Sequence, residues 1–278
     1  MVREAFFLDA PRGARFCLLT RPTTAPKGAI LFVHPFAEEL NKSRRMVALA
    51  ARAFAGQGWT VLQVDCFGCG DSAGDFSDAC WQDWIQDLEL GWRWLLEDAK
   101  RHSSFSLPVV LWTLRGGSLL AADWLNQGSE RPPLLMWQPV ASGKLQLTQF
   151  LRLKAANEML AETDARQAMA SIRAKLQQGQ SVEIAGYGLS AALAAGMDAA
   201  SLRLPAEYPA AVAMLELGSA DRTEPSAAVA NLVAKWTDAG IKATAAVVAG
   251  PGFWQTQEIE TAPLLIERSI AELEGLVR

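Results

Sequence analysis

The stretch VVLWTLRGGSLLAA, Val109 to Ala122, constrains the fold more tightly than any other part of the chain. A short apolar run ends at Thr113, a glycine pair follows at Gly116 and Gly117, and an apolar run with helical composition begins at Ser118. That order describes a buried strand turning sharply into a helix, with small residues where two backbones approach closely. The residue left at the tip of the turn is Arg115.

The same alternation of short apolar runs and longer periodic ones recurs along the chain and predicts a mostly parallel sheet covered by helices. AFFLD (5–9) and RFCLLT (15–20) read as an opening hairpin around the turn at 11–13. AILFVH (29–34), TVLQVD (60–65), VVLWT (109–113), LLMWQP (134–139), AVAMLELG (211–218) and ATAAVVAG (243–250) read as buried strands. SRRMVALAARAFAGQG has helical apolar spacing and a glycine stop, so Arg44 and Arg45 are expected to begin a helix. In CWQDWIQDLELGWRWLLEDAKR, residues Trp81, Trp84, Ile85, Leu88, Trp92 and Leu95 share one helical face, the pattern of core packing. LLIERSIAELEGLV is the closing helix. Between 140 and 208 the spacing breaks into helix-rich sequence, polar on one side, and Arg152, Lys154, Arg166, Arg173 and Lys175 are read as its solvated face. The expected organisation is a core formed by 1–140 and 209–278 with a helical lid inserted at 141–208.

Half of the 278 residues are apolar, enough for a sizeable core, and the net charge of −4 gives no electrostatic invitation to nucleic acid or to an anionic membrane. No run reaches membrane-spanning length, and the charged N-terminal segment does not read as a signal peptide. Four cysteines are too few for a disulfide scaffold. Cys66 and Cys69 form a C-x-x-C pair without a second pair at ligand spacing, so they are read as thiols in a tight turn, with no metal expected. The expected compartment is the cytoplasm.

Three loops follow predicted strands directly, where open α/β sheets place their ligands. They are HPFAEELNKSRRM from His34, DCFGCGDSAGDF from Asp65, and TLRGG around Arg115. In the second, Gly68, Gly70 and Gly74 supply positive φ angles, while the lysine of a phosphate-binding loop and the glycine spacing of a dinucleotide site are both missing. No cofactor is expected.

Together these loops resemble the α/β-hydrolase superfamily, in particular its serine-aminopeptidase-like branch. HPFAEELNKSRRM, GCGDSAGDF, WQPVASG, QFLRLKAANE, EIAGYGLS and GPGFWQTQEI resemble the bacterial family called exosortase A system-associated hydrolase 2, along nearly the whole chain. The resemblance implies an α/β-hydrolase fold with a helical lid. It also implies a setting beside exosortase, PEP-CTERM protein-sorting and exopolysaccharide genes, with a companion hydrolase of the same gene cluster as a partner.

The resemblance also implies a Ser-His-Asp triad, and the residues at its positions depart from it. Thr113-Leu114-Arg115-Gly116-Gly117 meets the small-residue demands of a nucleophile elbow, with Arg115 in the nucleophile's place. Ser118, the nearest hydroxyl, falls within the first turn of the following helix. Gly218-Ser219-Ala220-Asp221 supplies the acid, Asp221. Phe253 and Trp254 stand where the base belongs, and neither His34 nor His102 matches it. Without nucleophile and base, the covalent and proton-transfer steps of serine hydrolysis have no agents.

An arginine ahead of a helix opposes the helix dipole, which calls for nearby anions. Glu38, Glu39 and Asp221 are the candidates, on loops at the same sheet edge. Arg115 either bridges Glu38 or Glu39 in an internal network or receives an anionic ligand, and the two are compatible if the ligand displaces a carboxylate. The expected pocket comprises His34, Pro35, Phe36, Glu38, Glu39, Arg115, Gly116, Gln138, Asp221, Phe253 and Trp254, with Trp137 also placed to face it. His34 is read as structural or as an acid–base group, and Phe253 and Trp254 as lining or plug. Two functions stay open. One is a catalytically degenerate protein binding a small anionic or acyl-bearing ligand or a partner protein. The other is a hydrolase or acyl transferase in which Glu38, Glu39 or His34 activates water and Arg115 stabilises an oxyanion.

Overall fold

A computed structural model of the chain describes residues 1–103, 105–159 and 165–278, with side chains described except at 155–159 and 165. Its main sheet has eight strands: β1 (Val2–Leu8), β2 (Arg15–Arg21), β3 (Gly28–Val33), β4 (Trp59–Val64), β5 (Val109–Leu114), β6 (Leu134–Trp137), β9 (Val212–Gly218) and β10 (Ala243–Ala249). Their spatial order is β1-β2-β4-β3-β5-β6-β9-β10. The β1–β2 hairpin runs antiparallel onto β4, and every pairing from β4 to β10 is parallel.

The central strands are apolar throughout because both faces are covered, and their side chains alternate between two cores. Leu31, Val33, Leu111, Leu134, Met136, Val212 and Met214 pack toward α2 (Trp81–His102), α3 (Gly117–Gln127) and α7 (Ala227–Asp238). Ile30, Phe32, Val110, Trp112, Leu135, Trp137, Ala213 and Leu215 pack toward α1 (Glu38–Gly56) and α8 (Pro263–Leu276). The six apolar residues expected on one face of α2 are all buried.

Two expectations are corrected. Helix α1 begins at Glu38, so Glu38 and Glu39 occupy its first turn and are not loop residues. Arg44 and Arg45 consequently lie in its second turn, away from the positive end of the dipole, and Arg44 pairs with Asp65 at 3.2 Å.

The segment between β6 and β9 holds α4 (Gly143–Met159), α5 (Ala165–Gln177), a small hairpin and α6 (Ala191–Ala199). The hairpin pairs β7 (Val182–Ile184) with β8 (Tyr187–Leu189) and is absent from the helix-rich reading of this stretch. Its two-residue turn, Ala185-Gly186, has positive φ at both positions (49° and 84°), the conformation that matches the twist of a tight hairpin. Residues 160–164 of the expected helical stretch lie outside the described residues. Arg173 is not simply solvated: it donates to the Thr148 hydroxyl at 2.6 Å and pairs with Asp198 at 3.6 Å.

In the glycine-rich loop after β4, Gly68, Gly70 and Gly74 all have positive φ, as expected. Cys66 and Cys69 are free and buried there. Burial, reinforced by Asp87 and Asp65, pushes both thiols up, away from the thiolate that redox or metal chemistry requires.

Candidate functional site

The turn from β5 into α3 has the strained backbone its sequence implies. Arg115 has φ 52°, a left-handed conformation unfavourable for a branched-chain or long side chain. Its amide is anchored to the Trp137 carbonyl at 3.0 Å, and Gly117 lets α3 press against the end of β3. Ser118 is fully buried: its hydroxyl donates to the Arg115 carbonyl at 2.8 Å and accepts from the Val140 amide at 3.1 Å. That hydroxyl fastens the elbow to the strand-end loop and is not presented to a substrate.

Two further non-glycine residues at this edge have positive φ, Ala37 (50°) just before α1 and Gln138 (43°) just after β6. Such residues cost about 1–3 kcal/mol each and persist where surroundings over-determine them. For Gln138 the determinants are visible: its amide donates to the Leu215 carbonyl at 2.7 Å and its side-chain oxygen accepts from the Leu217 amide at 2.8 Å.

Arg115 and Gln138 line a cavity of about 630 Å³ at the carboxyl ends of the central strands, within the range of small-molecule sites, and Ala37 lies between its lining residues Phe36 and Glu38. Its wall combines Phe36, Glu38 and Glu39 at the start of α1, Arg115 at the elbow, and Gln138 after β6. Gln146, Gln149, Phe150 and Leu153 of α4 contribute a second side, and Trp254 and Gln255 lie after β10.

Arg115 is held from three directions. Its Nε donates to Glu39 Oε1 at 3.0 Å, and Nη2 lies 3.0 Å from the same oxygen as an ion pair. Nη2 also donates to Gln146 Oε1 at 3.1 Å, and the guanidinium lies 5.4 Å from the centre of the Trp254 ring, a cation–π contact. The pairing with Glu39 is not the usual two-by-two fork, because both nitrogens converge on one oxygen. Glu39 Oε2 is left buried without a hydrogen-bond partner, as is Glu38 Oε2. Burial raises both carboxyl groups above the ordinary glutamate value. For Glu39 the arginine, Gln146 and Lys42 pull back against burial, and for Glu38 the neighbouring Glu39 adds to it.

Several expected site residues lie elsewhere. His34 and Pro35 are buried behind the cavity wall; His34 Nδ1 is 2.8 Å from the Pro35 carbonyl and its ring packs edge-on against Trp84. Burial lowers the imidazole below its ordinary value, which favours the neutral form. Gly116 lies under Phe36 and Gln146 and does not line the cavity. Phe253 is fully buried between Trp137 and Trp254, a core position, and Trp137 is fully buried with its indole donating to Ser269 at 2.8 Å. Asp221 is exposed, and its carboxyl is lowered by a hydrogen bond from Ser219. The loop carrying it is closed instead by Glu216, which accepts from Arg222 at 2.8 Å and from the Ser226 amide at 2.6 Å. His102 ends α2, with Nδ1 2.9 Å from the Asp98 carbonyl.

The structure therefore brings together Phe36, Glu38, Glu39, Arg115, Gln138 and Trp254 of the expected set. It adds Gln146, Gln149 and Gln255, which sequence reasoning missed. Their signal is partly visible: Gln146, Gln149, Phe150 and Leu153 recur at the i, i+3, i+4, i+7 spacing of one helical face. Among the described residues, the cavity wall carries no Ser-His-Asp triad. A guanidinium has no lone pair with which to attack, and an indole N–H can donate a hydrogen bond but cannot take up a proton as the base must.

No family model matches this chain, and no curated protein matches it. Among solved structures it is similar to Est1E from Butyrivibrio proteoclasticus, at 12% identity over 98% of both chains and a TM-score of 0.62. A highly thermostable carboxyl esterase from Bacillus coagulans in complex with glycerol is 13% identical over 100% of both chains, with a TM-score of 0.63. An alpha-beta serine hydrolase homologue from Coxiella burnetii is 14% identical over 99% of this chain and 98% of its own, with a TM-score of 0.56. With the mostly parallel eight-stranded sheet and its flanking helices, this likeness establishes an α/β-hydrolase fold.

Proposed function

We propose that this α/β-hydrolase-fold chain is a catalytically degenerate ligand-binding protein, with the Arg115 cavity as its binding site. The observation that carries this reading is the elbow itself. Its strained backbone is intact, yet the residue it presents is an arginine held by Glu39, Gln146 and Trp254. In this reading residues 141–208 act as a helical lid, an assignment supported by the four α4 side chains on the cavity wall. Residues 1–140 and 209–278 form the core beneath it.

The motif resemblance supports a place in the exosortase, PEP-CTERM and exopolysaccharide setting, in the cytoplasm, with the companion hydrolase of that gene cluster as a partner. An acyl-bearing small molecule fits the mixed apolar and polar wall. An anionic ligand would have to displace Glu39 from Arg115.

One observation favours a second reading. Glu38 carries a raised carboxyl and an unpartnered oxygen beside the elbow, which suits a general base for water with Arg115 stabilising an oxyanion. His34 cannot share that role from behind the wall. A panel of acyl esters and amides separates the two. Binding without turnover is the expected result for the purified protein. Turnover abolished in both Arg115→Ala and Glu38→Ala, with the fold intact, would establish the catalytic reading instead.

A further inference from the structure

We propose that the ligand of the Arg115 cavity is a neutral polyhydroxylated molecule, a glycosyl unit or cyclic polyol, whose hydroxyls donate to Glu38 and Glu39. This inference rests on the binding reading above and names its ligand class.

The first observation is an unfilled acceptor. Glu39 is only 7% exposed and lines the cavity, yet its Oε2 makes no hydrogen bond, the Arg115 nitrogens lying against Oε1. A buried carboxylate oxygen without a donor is costly, so the site is completed by a group that supplies one. Glu38 Oε2 presents a second such acceptor one residue away.

The second observation concerns the amides. Gln138 Oε1 is committed to the Leu217 amide, which leaves its NH₂ group as a donor, while the Gln146 amide is shared between Arg115 and Glu39. A ligand must therefore give hydrogen bonds to the carboxylates and accept them from the Gln138 amide. A hydroxyl is the uncharged group that does both through one atom.

Charge decides between the remaining classes. An anion would face two carboxylates, and Arg115 already donates from Nε to Glu39 and from Nη2 to Gln146. An ammonium would meet Arg115 and Lys42, whose charges already act on Glu38 and Glu39. A neutral hydroxylated ligand avoids both repulsions. Phe36, Phe150 and Leu153 offer apolar surface to the C–H face of a ring.

The test uses the intact protein, thermal-shift screening and calorimetry, with three panels of matched size. They are neutral saccharides of one to three units with myo-inositol, aminoalkyl compounds, and mono- and dicarboxylates. Saturable binding confined to the neutral panel is expected, weakened about tenfold by Glu38→Gln, which replaces a charged acceptor without changing shape. Glu38 forms no ion pair with Arg115, so this variant is expected to fold, and an unchanged melting temperature checks it. Selective binding of amines or carboxylates, or polyol binding unaffected by Glu38→Gln, would overturn the assignment while leaving the binding reading in place. Binding of nothing in the three panels would overturn the assignment, and absence of binding in the acyl ester and amide panel as well would overturn the binding reading.

Discussion

Replacing Glu39 with leucine is expected to destabilise the protein by about 3 kcal/mol, because it leaves a largely buried guanidinium without its carboxylate. Arg115 has a side chain only 16% exposed and Glu39 one of 9%, so water cannot substitute for the lost partner. The melting temperature should fall by roughly 6 °C. Arg115→Met should also destabilise, but with a different pH profile. Without the arginine, the Glu39 carboxyl rises further above its ordinary value of 4.5. The folded state then holds that proton more tightly than the unfolded state. Stability is greatest below the unfolded value and is lost as pH rises through the folded one. Glu39→Leu removes this dependence. The double variant Glu39→Leu/Arg115→Met should recover most of the loss, since an apolar pair replaces a desolvated ionic one. Purely additive losses would show that Arg115 and Glu39 do not act as a pair.

The adjacent glycines of the elbow should respond to alanine in opposite ways. A Cβ on Gly117 would lie 2.5 Å from the Val33 carbonyl oxygen and 2.8 Å from that of His34. Both obstacles are backbone at the end of β3, so neither can swing aside. Gly117→Ala should destabilise by about 3 kcal/mol, the upper range for overpacking a filled core, and should open the elbow. Gly116 instead has φ −57° and ψ −20°, and its nearest neighbour to an added Cβ is Phe36 Cβ at 3.6 Å, an ordinary contact. Gly116→Ala should be neutral or stabilising by up to about 1 kcal/mol through the unfolded chain. Chemical denaturation of both variants checks the pair, and equal losses would contradict the elbow geometry described.

The same turn explains why the fold is legible in the sequence while the site is only partly so. Strands covered on both faces are continuously apolar, so AILFVH, VVLWT, LLMWQP and AVAMLELG stand out. The glycines that admit positive φ or close packing stand out as well. The start of α1 does not, because His34-Pro35-Phe36-Ala37 contains no capping side chain and Ala37 enters the helix through a strained conformation. Glu38 and Glu39 are consequently read as loop residues, though their chemistry near Arg115 is anticipated. Asp221 shows the converse. A G-x-x-D pattern places a carboxylate on a loop but does not fix the direction in which that loop turns. Here Glu216 and Arg222 hold the turn while Asp221 remains in solvent. His34 is a similar case, since a residue following a strand can face the cavity or the layer behind it.

In the proposed reading the elbow keeps its backbone while its serine chemistry is gone. Fluorophosphonate labelling of the intact protein, with the modified residue mapped by mass spectrometry, tests it most directly. No labelling is predicted at any serine, because Arg115 occupies the elbow tip and the Ser118 hydroxyl is buried between the Arg115 carbonyl and the Val140 amide. Stoichiometric labelling of Ser118, abolished by Ser118→Ala, would contradict the account and restore a serine nucleophile to this fold.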